Sequence, residues 1–323
     1  QLAHDLGNRD KRFFVAGLLD DDHSHYGAHV GRARVLGPIA LAAVCAERLR
    51  ASDIVVREGA VFGSKLRALC DACSEINVRV NIAENPLTNG AMKNGAGPQK
   101  PSSTRVRNVE LRDLLSRPRA NLSDHDVNVF PFLHGKTVLI TGAGGSIGSE
   151  ICRQVMRFDP AKMVLVERSE HALFTIQRDL DHREGASEIE RAAVLGDITN
   201  IDRTERMFLE HKPQVVIHAA AFKHVPLMEA HPVEAIENNT LATASLAELS
   251  DAHGVESFVA LSTDKAVHPS SIMGASKLVA ERFLQAFGIN SKTRFVAVRF
   301  GNVLGSSGSA VPIFEEQLAR RLP

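Results

Sequence analysis

The sequence predicts an α/β protein in which a doubly wound parallel sheet follows a smaller α/β domain. Two observations support this fold class. A glycine-rich turn joins an apolar strand to an amphipathic helix at residues 136–156, and further strand-like runs follow it. Strand-like and helix-like runs also alternate over residues 13–82. Strands that alternate with helices indicate parallel sheets covered by helices, and 323 residues are enough for two domains.

The first domain is assigned to residues 1–84. The apolar run FFVAGLLD predicts a strand that ends at the acidic run Asp20–Asp22. Helical spacing over Ile39–Arg50 and Ser64–Glu75 alternates with strand-like runs at 53–56 and 78–82. This βαβαβ pattern predicts a single parallel sheet, which we interpret as a docking or spacer domain in preference to a vestigial nucleotide site.

A connecting region is assigned to residues 85–133. Residues 85–103 are rich in Asn, Gly, Pro and Ser and show no periodicity, which is typical of a linker. Order is expected to resume at 106–117. The second and larger domain, 134–323, follows.

Composition excludes several classes of protein. The net charge is zero, so nothing indicates a nucleic-acid partner. No apolar run approaches the ~20 residues that cross a bilayer. Four cysteines do not make a disulfide framework in a chain of this size, and the pair Cys70 and Cys73 lacks further ligands, so no metal site is predicted. We therefore expect this stretch of chain in a reducing, cytoplasmic compartment.

The glycine turn predicts a dinucleotide site. Gly142, Gly145 and Gly148 recur every third residue, and Ser146 and Ile147 open the helix. Glycine lets the backbone approach a diphosphate, whose charge then lies at the helix N-terminus. The spacing in a strand–turn–helix context predicts a Rossmann-type domain.

The next strands supply further candidate cofactor residues. Glu167 ends the second strand, where a carboxylate would accept hydrogen bonds from the adenosine ribose. Its charge favours NAD over NADP, although the neighbouring Arg168 leaves NADP possible. After the fourth strand, Ala219, Ala220 and Ala221 allow the backbone to lie against a cofactor.

The run FVALSTDKAVHPSSIMGASK carries the candidate catalytic residues. An apolar strand is followed by Thr263, Asp264 and Lys265, and a helix then presents Met273 and Lys277 on one face. Methionine cannot ionise, so any acid/base chemistry here must use other side chains.

Five segments in order resemble the nucleoside-diphosphate-sugar 4,6-dehydratases: TGAGGSIGSE, HAAAFKHVP, LSTDKA, MGASK and RFGNVLGSSGS. The resemblance is to the CapD-like polysaccharide-biosynthesis branch of the extended short-chain dehydrogenase/reductase superfamily, in the variant with Met for the catalytic Tyr. It is specific over 134–323 and looser over 13–117. Simple epimerases keep the Tyr and have Ser-Ser or Ser-Thr after this strand.

The resemblance implies a tightly bound NAD and a role for each residue. Lys277 would bind the nicotinamide ribose. Asp264 would protonate the departing 6-hydroxyl if burial raised its pKa. Lys265 would take the carbon-5 proton if an apolar site and Lys277 lowered its pKa. Thr263 would orient the 4-hydroxyl, and the group that deprotonates it stays open. The only tyrosine, Tyr26, lies in the first domain.

Further roles follow from the same resemblance. Asp197 and Ile198 would contact the adenine. Asn302 would contact the sugar nucleotide. The candidate substrate residues in the two flanking loops are Lys223, His224, Ser307, Gly308 and Ser309. For the first two, substrate contact and a capped loop are equally compatible with the sequence, whereas the last three offer donors to diphosphate oxygens.

The expected activity is 4,6-dehydration of UDP-N-acetylglucosamine. A UDP-hexose or N-acetylhexosamine 4-epimerase and a weakly catalytic NAD-binding regulatory or scaffold protein are the alternatives. Relatives in this branch carry upstream transmembrane helices and continue beyond the equivalent of residue 323. We therefore expect the protein at the cytoplasmic face of the bacterial inner membrane, with part of the substrate pocket contributed by a further segment. The resemblance to the extended superfamily also implies a homo-oligomer.

Overall fold

Strands and helices alternate along both halves of the chain in the computed structural model. The structure describes residues 14–84, 106–114, 128–183 and 188–303, and positions 306, 314, 317 and 320. The chain divides into two units, Gln1–Leu122 and Ser123–Pro323, each of which has its own fold.

The described part of the first unit contains six strands and two α-helices. The strands are β1 (Leu18–Leu19), β2 (His29–Val30), β3 (Ala33–Gly37), β4 (Asp53–Arg57), β5 (Arg79–Ala83) and β6 (Val106–Asn108). The helices are α1 (Ala42–Leu49) and α2 (Gly63–Glu75). They form a small core that includes Leu66 and Cys73 of α2 and Ile82 of β5.

The prediction of a single parallel sheet in this unit is wrong. Strand order is β1-β3-β2 in one sheet and β4-β5-β6 in another, and β6 runs antiparallel to β5. Of the expected first strand only Leu18 and Leu19 pair with β3, and carboxylates bend the chain directly after them. Asp20 accepts from the Asp22 amide at 3.0 Å, and Asp22 accepts from the Ser24 amide at 2.9 Å.

The second unit contains a six-stranded, fully parallel sheet. Its strands are β7 (Thr137–Thr141), β8 (Lys162–Glu167), β9 (Glu190–Leu195), β10 (Val215–His218), β11 (Ser257–Thr263) and β12 (Arg294–Phe300). The order β9-β8-β7-β10-β11-β12 is that of a Rossmann fold. The predicted doubly wound α/β fold is confirmed.

Helices cover both faces of this sheet. They are α3 (Phe130–Leu133), α4 (Ser146–Met156), α5 (Glu170–Asp181), α6 (Ile201–His211), α7 (Val225–Ala230), α8 (Pro232–Ile236), α9 (Ala242–Ala252) and α10 (Ile272–Phe287). Between α8 and α9 lies one π-helical turn, Glu237–Leu241. No helix in the described ranges is long and apolar enough to cross a membrane.

Alternate residues of the central strands enter two separate cores. Val138 and Ile140 of β7 pack with α4 and α5, whereas Leu139 packs with α6, α9 and α10. Such alternation is the period of a strand buried on both faces. Strand order reverses between β7 and β10, and ligands of open α/β sheets bind outside the strand ends at this point.

Candidate active site

The turn after β7 allows very close backbone approach. Gly142 has a φ of +65°, and a Cβ atom there would lie 2.7 Å from the amide nitrogen of Ala220. A Cβ atom on Gly148 would overlap the carbonyl oxygen of Gly142. The Gly145 amide donates to that same oxygen at 3.0 Å, and α4 begins at the next residue, Ser146. Larger residues would therefore displace the turn from the helix that follows it.

The carboxylate of Glu167 braces this turn from the end of β8. Its Oε2 accepts from the Gly144 amide at 3.1 Å, and its Oε1 accepts from the amides of Arg168 and Ser169 at 3.0 and 3.1 Å. A carboxylate oxygen can accept more than one hydrogen bond. Glu167 can therefore hold the turn and still accept from a hydroxyl group in the adjacent cavity.

One cavity collects most of the predicted cofactor residues. It is lined by Gly142, Gly145, Val166, Glu167, Arg168, Gly196, Asp197, Ile198, Ala219, Ala220, Ala221 and Asn238. Ser146, Ile147 and Gly148 lie beside it in the first turn of α4. Lys277 is not among the lining residues and lies on α10.

Arg168 is held at this cavity by two side chains. Its guanidinium lies 4.3 Å from the ring centroid of Phe222, a cation–π distance. Its Nη1 lies 3.9 Å from Oδ2 of Asp197. The sequence indicated Arg168 and Asp197 but not Phe222, whose position depends on the loop after β10.

A buried histidine links the central strands behind the cavity. His218 Nδ1 lies 2.7 Å from Oγ1 of Thr141, and its Nε2 lies 2.8 Å from Oγ1 of Thr243. Thr141 Oγ1 also accepts from the Ala220 amide at 3.3 Å. Burial, with the charge of Lys277 as a smaller contribution, lowers the pKa of His218 to about 3. His218 is therefore neutral and positions the alanine loop through Thr141.

This histidine predicts acid destabilisation. In the unfolded chain, His218 is protonated near its ordinary pKa of 6.5. In the native protein, it is protonated only near pH 3. Stability is therefore lost as pH falls through this window, by about 2 kcal/mol between pH 8 and pH 5. Urea unfolding of wild type and His218→Gln at both pH values measures this. A wild-type loss no larger than that of the variant would contradict it.

The π-helical turn adds two buried asparagines that the sequence analysis missed. Asn239 Oδ1 accepts from the Phe222 amide at 2.8 Å, and its Nδ2 donates to the Phe222 carbonyl at 2.9 Å and to Ser276 Oγ at 3.1 Å. Asn238 donates to Asn239 at 3.0 Å and lines the cavity. The sequence signal was a pair of adjacent asparagines inside a helical run. The π turn that contains them is seen only in the structure, and such turns often occur at functional sites.

The candidate catalytic run lies at the carboxyl end of β11. Thr263 Oγ1 donates to Asp264 Oδ1 at 3.0 Å, and Lys265 Nζ donates to the same oxygen at 3.3 Å. Lys265 Nζ also donates to Asn302 Oδ1 at 3.0 Å. Gly274 has no Cβ atom, and one there would lie against the Lys265 carbonyl oxygen. The structure thus brings these four polar residues together.

The conditions that the sequence analysis set on the roles of Asp264 and Lys265 are not met in this structure. Hydrogen bonds from Thr263 and Lys265 lower the pKa of Asp264, whose side chain is 56% exposed, whereas its role as an acid required burial to raise that pKa. Lys265 is 41% exposed and contacts a carboxylate and an amide, not apolar groups. Both residues lie in the short helical turn that follows β11, where their side chains are in contact with solvent.

Met273 is buried in an apolar cluster. It packs with Met228 of α7 and Ala235 of α8, and Phe222 lies against the same cluster. Its side chain therefore contributes packing and offers no ionisable group.

Lys277, one helical turn further along α10, is only 5% exposed. Burial lowers its pKa to about 8, and the charge of Glu281 opposes this shift. Among the described residues it forms no hydrogen bond or ion pair with another side chain. A buried amine of this kind is available to a ligand.

The remaining candidates lie in loops. Lys223 and His224 are exposed after β10, and His224 directly precedes α7. Asn302 is exposed after β12 and contacts Lys265. Ser307, Gly308 and Ser309 lie outside the described residues.

Similarity to known proteins agrees with these features. Residues 138–323 match the family model described as "Polysaccharide biosynthesis protein". The chain is 36% identical over its whole length to the probable polysaccharide biosynthesis protein EpsC of Bacillus subtilis, and covers 52% of it. Identity is 49% over 66% of the chain to the capsular polysaccharide biosynthesis protein CapD of Staphylococcus aureus, of which 35% is covered. The chain therefore spans about half, or less, of these relatives.

Two further similarities extend this comparison. A UDP-N-acetylglucosamine 4,6-dehydratase (inverting) of Campylobacter jejuni is 35% identical over 58% of the chain, and 55% of that protein is covered. The X-ray structure of Pen from Bacillus thuringiensis is 34% identical, with a TM-score of 0.54 over 58% of both chains. The resemblance to the CapD-like branch is confirmed.

Proposed function

The chain belongs to the polysaccharide biosynthesis protein family, and we propose that it catalyses NAD-dependent 4,6-dehydration of UDP-N-acetylglucosamine. One observation carries the proposal. Thr263, Asp264 and Lys265 form a connected polar cluster with Asn302, while Met273 is buried among apolar side chains. A candidate acid and a candidate base for the loss of water are thus adjacent without a tyrosine. The C. jejuni dehydratase, 35% identical over part of the chain, supports this substrate.

The cavity at the strand ends suits NAD. The glycine turn leaves room for a diphosphate that a Cβ atom would fill, and Glu167 offers a carboxylate to ribose hydroxyls. The negative charge of Glu167 would repel a 2′-phosphate, and Arg168 is already held by Phe222 and Asp197. When bound, NAD would supply the hydride acceptor and hydride donor that this reaction needs. Lys277, a buried amine without a described partner, would hold the nicotinamide ribose.

Lys265 and Asp264 can supply both the base and the acid. In solvent they form an ammonium–carboxylate pair at 3.3 Å. A bound sugar would exclude water from this pair, and desolvation favours the neutral forms of two adjacent charges. One proton then moves from Lys265 Nζ to Asp264 Oδ1. The resulting amine can take the carbon-5 proton, and the resulting acid can protonate the departing 6-hydroxyl.

Proton NMR of UDP-N-acetylglucosamine incubated with the full-length protein and NAD tests the proposal. A 4-keto-6-deoxy product is expected. Appearance of UDP-N-acetylgalactosamine would instead establish a 4-epimerase, and absence of any turnover by an NAD-loaded protein would favour a regulatory or scaffold role.

The surroundings of the enzyme are part of the same proposal. We expect a homo-oligomer anchored at the cytoplasmic face of the bacterial inner membrane, as the resemblance implied. Light scattering and membrane fractionation of the full-length protein measure these two properties.

A further inference from the structure

Lys277 and Glu281 are a buried pair of opposite charges on one face of α10. They are four residues apart, which places them one above the other on the helix. Lys277 is 5% exposed and Glu281 is 3% exposed. A buried ammonium that forms no hydrogen bond or ion pair with another described side chain depends on nearby negative charge to stay protonated.

The Glu281 carboxylate is shared with a second cation. Arg299 of β12 donates from Nε to both carboxylate oxygens at 3.0 Å and from Nη2 to Oε2 at 2.5 Å. Burial acts to raise the pKa of Glu281, but the hydrogen bonds from Arg299 and Ser262 and the charges of Arg299 and Lys277 together outweigh it, and the net pKa is lowered. Glu281 is therefore ionised, and the positive charge of Arg299 offsets part of the negative charge that Lys277 experiences.

We propose that Glu281 is a positioning residue that holds the Lys277 amine in its charged form, and that Arg299 limits this effect by engaging the same carboxylate. Lys277 then stays cationic. A charged amine would bind a ribose hydroxyl more strongly than a neutral amine would. The relation between these charges is a property of the chain alone. Its consequence for the cofactor rests on the proposed function.

Other groups around Lys277 add no compensating negative charge. His218 of β10 is neutral, and Asn239 and Thr240 of the π turn are uncharged. Asp264 and Lys265 follow β11 and pair with each other at exposed positions. Among the described residues, Glu281 is the anion whose charge raises the pKa of Lys277.

An NMR titration of the cofactor-free chain tests this directly. The protein is labelled with [ε-13C]lysine, and the resonance of Lys277 is assigned with Lys277→Arg. Wild type is expected to titrate near the pKa of about 8. Glu281→Gln is expected to titrate lower by about one unit, whereas Arg299→Gln is expected to titrate at or above wild type. Exposed Glu248 provides the control Glu248→Gln, which should leave the titration unchanged.

The double variant Glu281→Gln/Arg299→Gln guards against misfolding, because it removes the Glu281 carboxylate and the Arg299 guanidinium together and leaves neither without the other. Its Lys277 should titrate between Glu281→Gln and wild type. An unchanged Lys277 pKa in Glu281→Gln would overturn the proposal. So would shifts of the Lys277 pKa in the same direction in both single variants, because loss of a purely structural ion pair would affect Lys277 in the same way whichever partner is removed. NADH affinity should fall as the pH rises and Lys277 loses its proton. In Glu281→Gln this fall should occur at a lower pH than in wild type. A normal titration with no NADH binding would count against the proposed function instead.

Discussion

Replacement of Lys265 by methionine is expected to reduce formation of the dehydrated product by about 10²- to 10⁴-fold, the usual contribution of one acid/base group. Methionine is an unbranched side chain like lysine, so local packing is kept while the amine is removed. That amine lies 3.0 Å from Asn302 and 3.3 Å from Asp264 at the end of β11. The measurement is the rate of 4-keto-6-deoxy product formation by the full-length variant.

Two readouts locate the defect. In the proposed reaction, oxidation at carbon 4 precedes proton removal at carbon 5, so the variant should still form reduced nicotinamide but should not exchange the carbon-5 proton in deuterated water. Lys292→Met, at an exposed position before β12, is the matched control and should keep full activity. Unimpaired dehydration by Lys265→Met would show that another group is the carbon-5 base.

Gly148→Ala is expected to weaken NADH binding by about 100-fold or more, and to lower stability. The added Cβ atom would overlap the Gly142 carbonyl oxygen, so either the turn or the start of α4 must move. If the displaced turn no longer gave two backbone hydrogen bonds to the diphosphate of a bound cofactor, binding would weaken by about 3 kcal/mol, which corresponds to about 100-fold in affinity. Fluorescence titration with NADH and thermal unfolding measure the two effects.

Gly196→Ala serves as the steric control at the same cavity. A Cβ atom there would meet Arg203 only at an ordinary contact distance of 3.6 Å. Because Gly196 also lines the cavity, some loss is expected, but its NADH affinity should fall by at least tenfold less than that of Gly148→Ala. Equal losses in both variants would mean that overlap with the glycine turn is not the cause.

The fold of the second unit could be predicted because its signals are local. The glycine spacing, the strand before it and the carboxylate at Glu167 lie within one βαβ unit, and their chemistry is fixed by the backbone geometry of that unit. The first unit was predicted less well. Its strand β1 has two residues, because only Leu18 and Leu19 of the apolar run pair with β3. Apolar content alone does not determine which residues pair with a neighbouring strand.

Site residues whose roles depend on distant partners could not be predicted. Glu281 has the appearance of an ordinary polar helix residue until Arg299, eighteen positions later, is seen to bond it. His218 is recognisable as a neutral linker only when Thr141 and Thr243 are both placed around it. The protonation of Asp264 likewise depends on its exposure, which the position after a strand does not determine.

Catalysis without an ionisable group at position 273 is tested most directly by the activity of Met273→Leu. Leucine conserves the volume of methionine in the cluster with Met228 and Ala235, and such exchanges are well tolerated. Turnover of UDP-N-acetylglucosamine, followed by proton NMR, should stay within about threefold of wild type. A loss of 100-fold or more, with folding and NADH affinity intact, would contradict the assignment of acid/base chemistry to Thr263, Asp264 and Lys265.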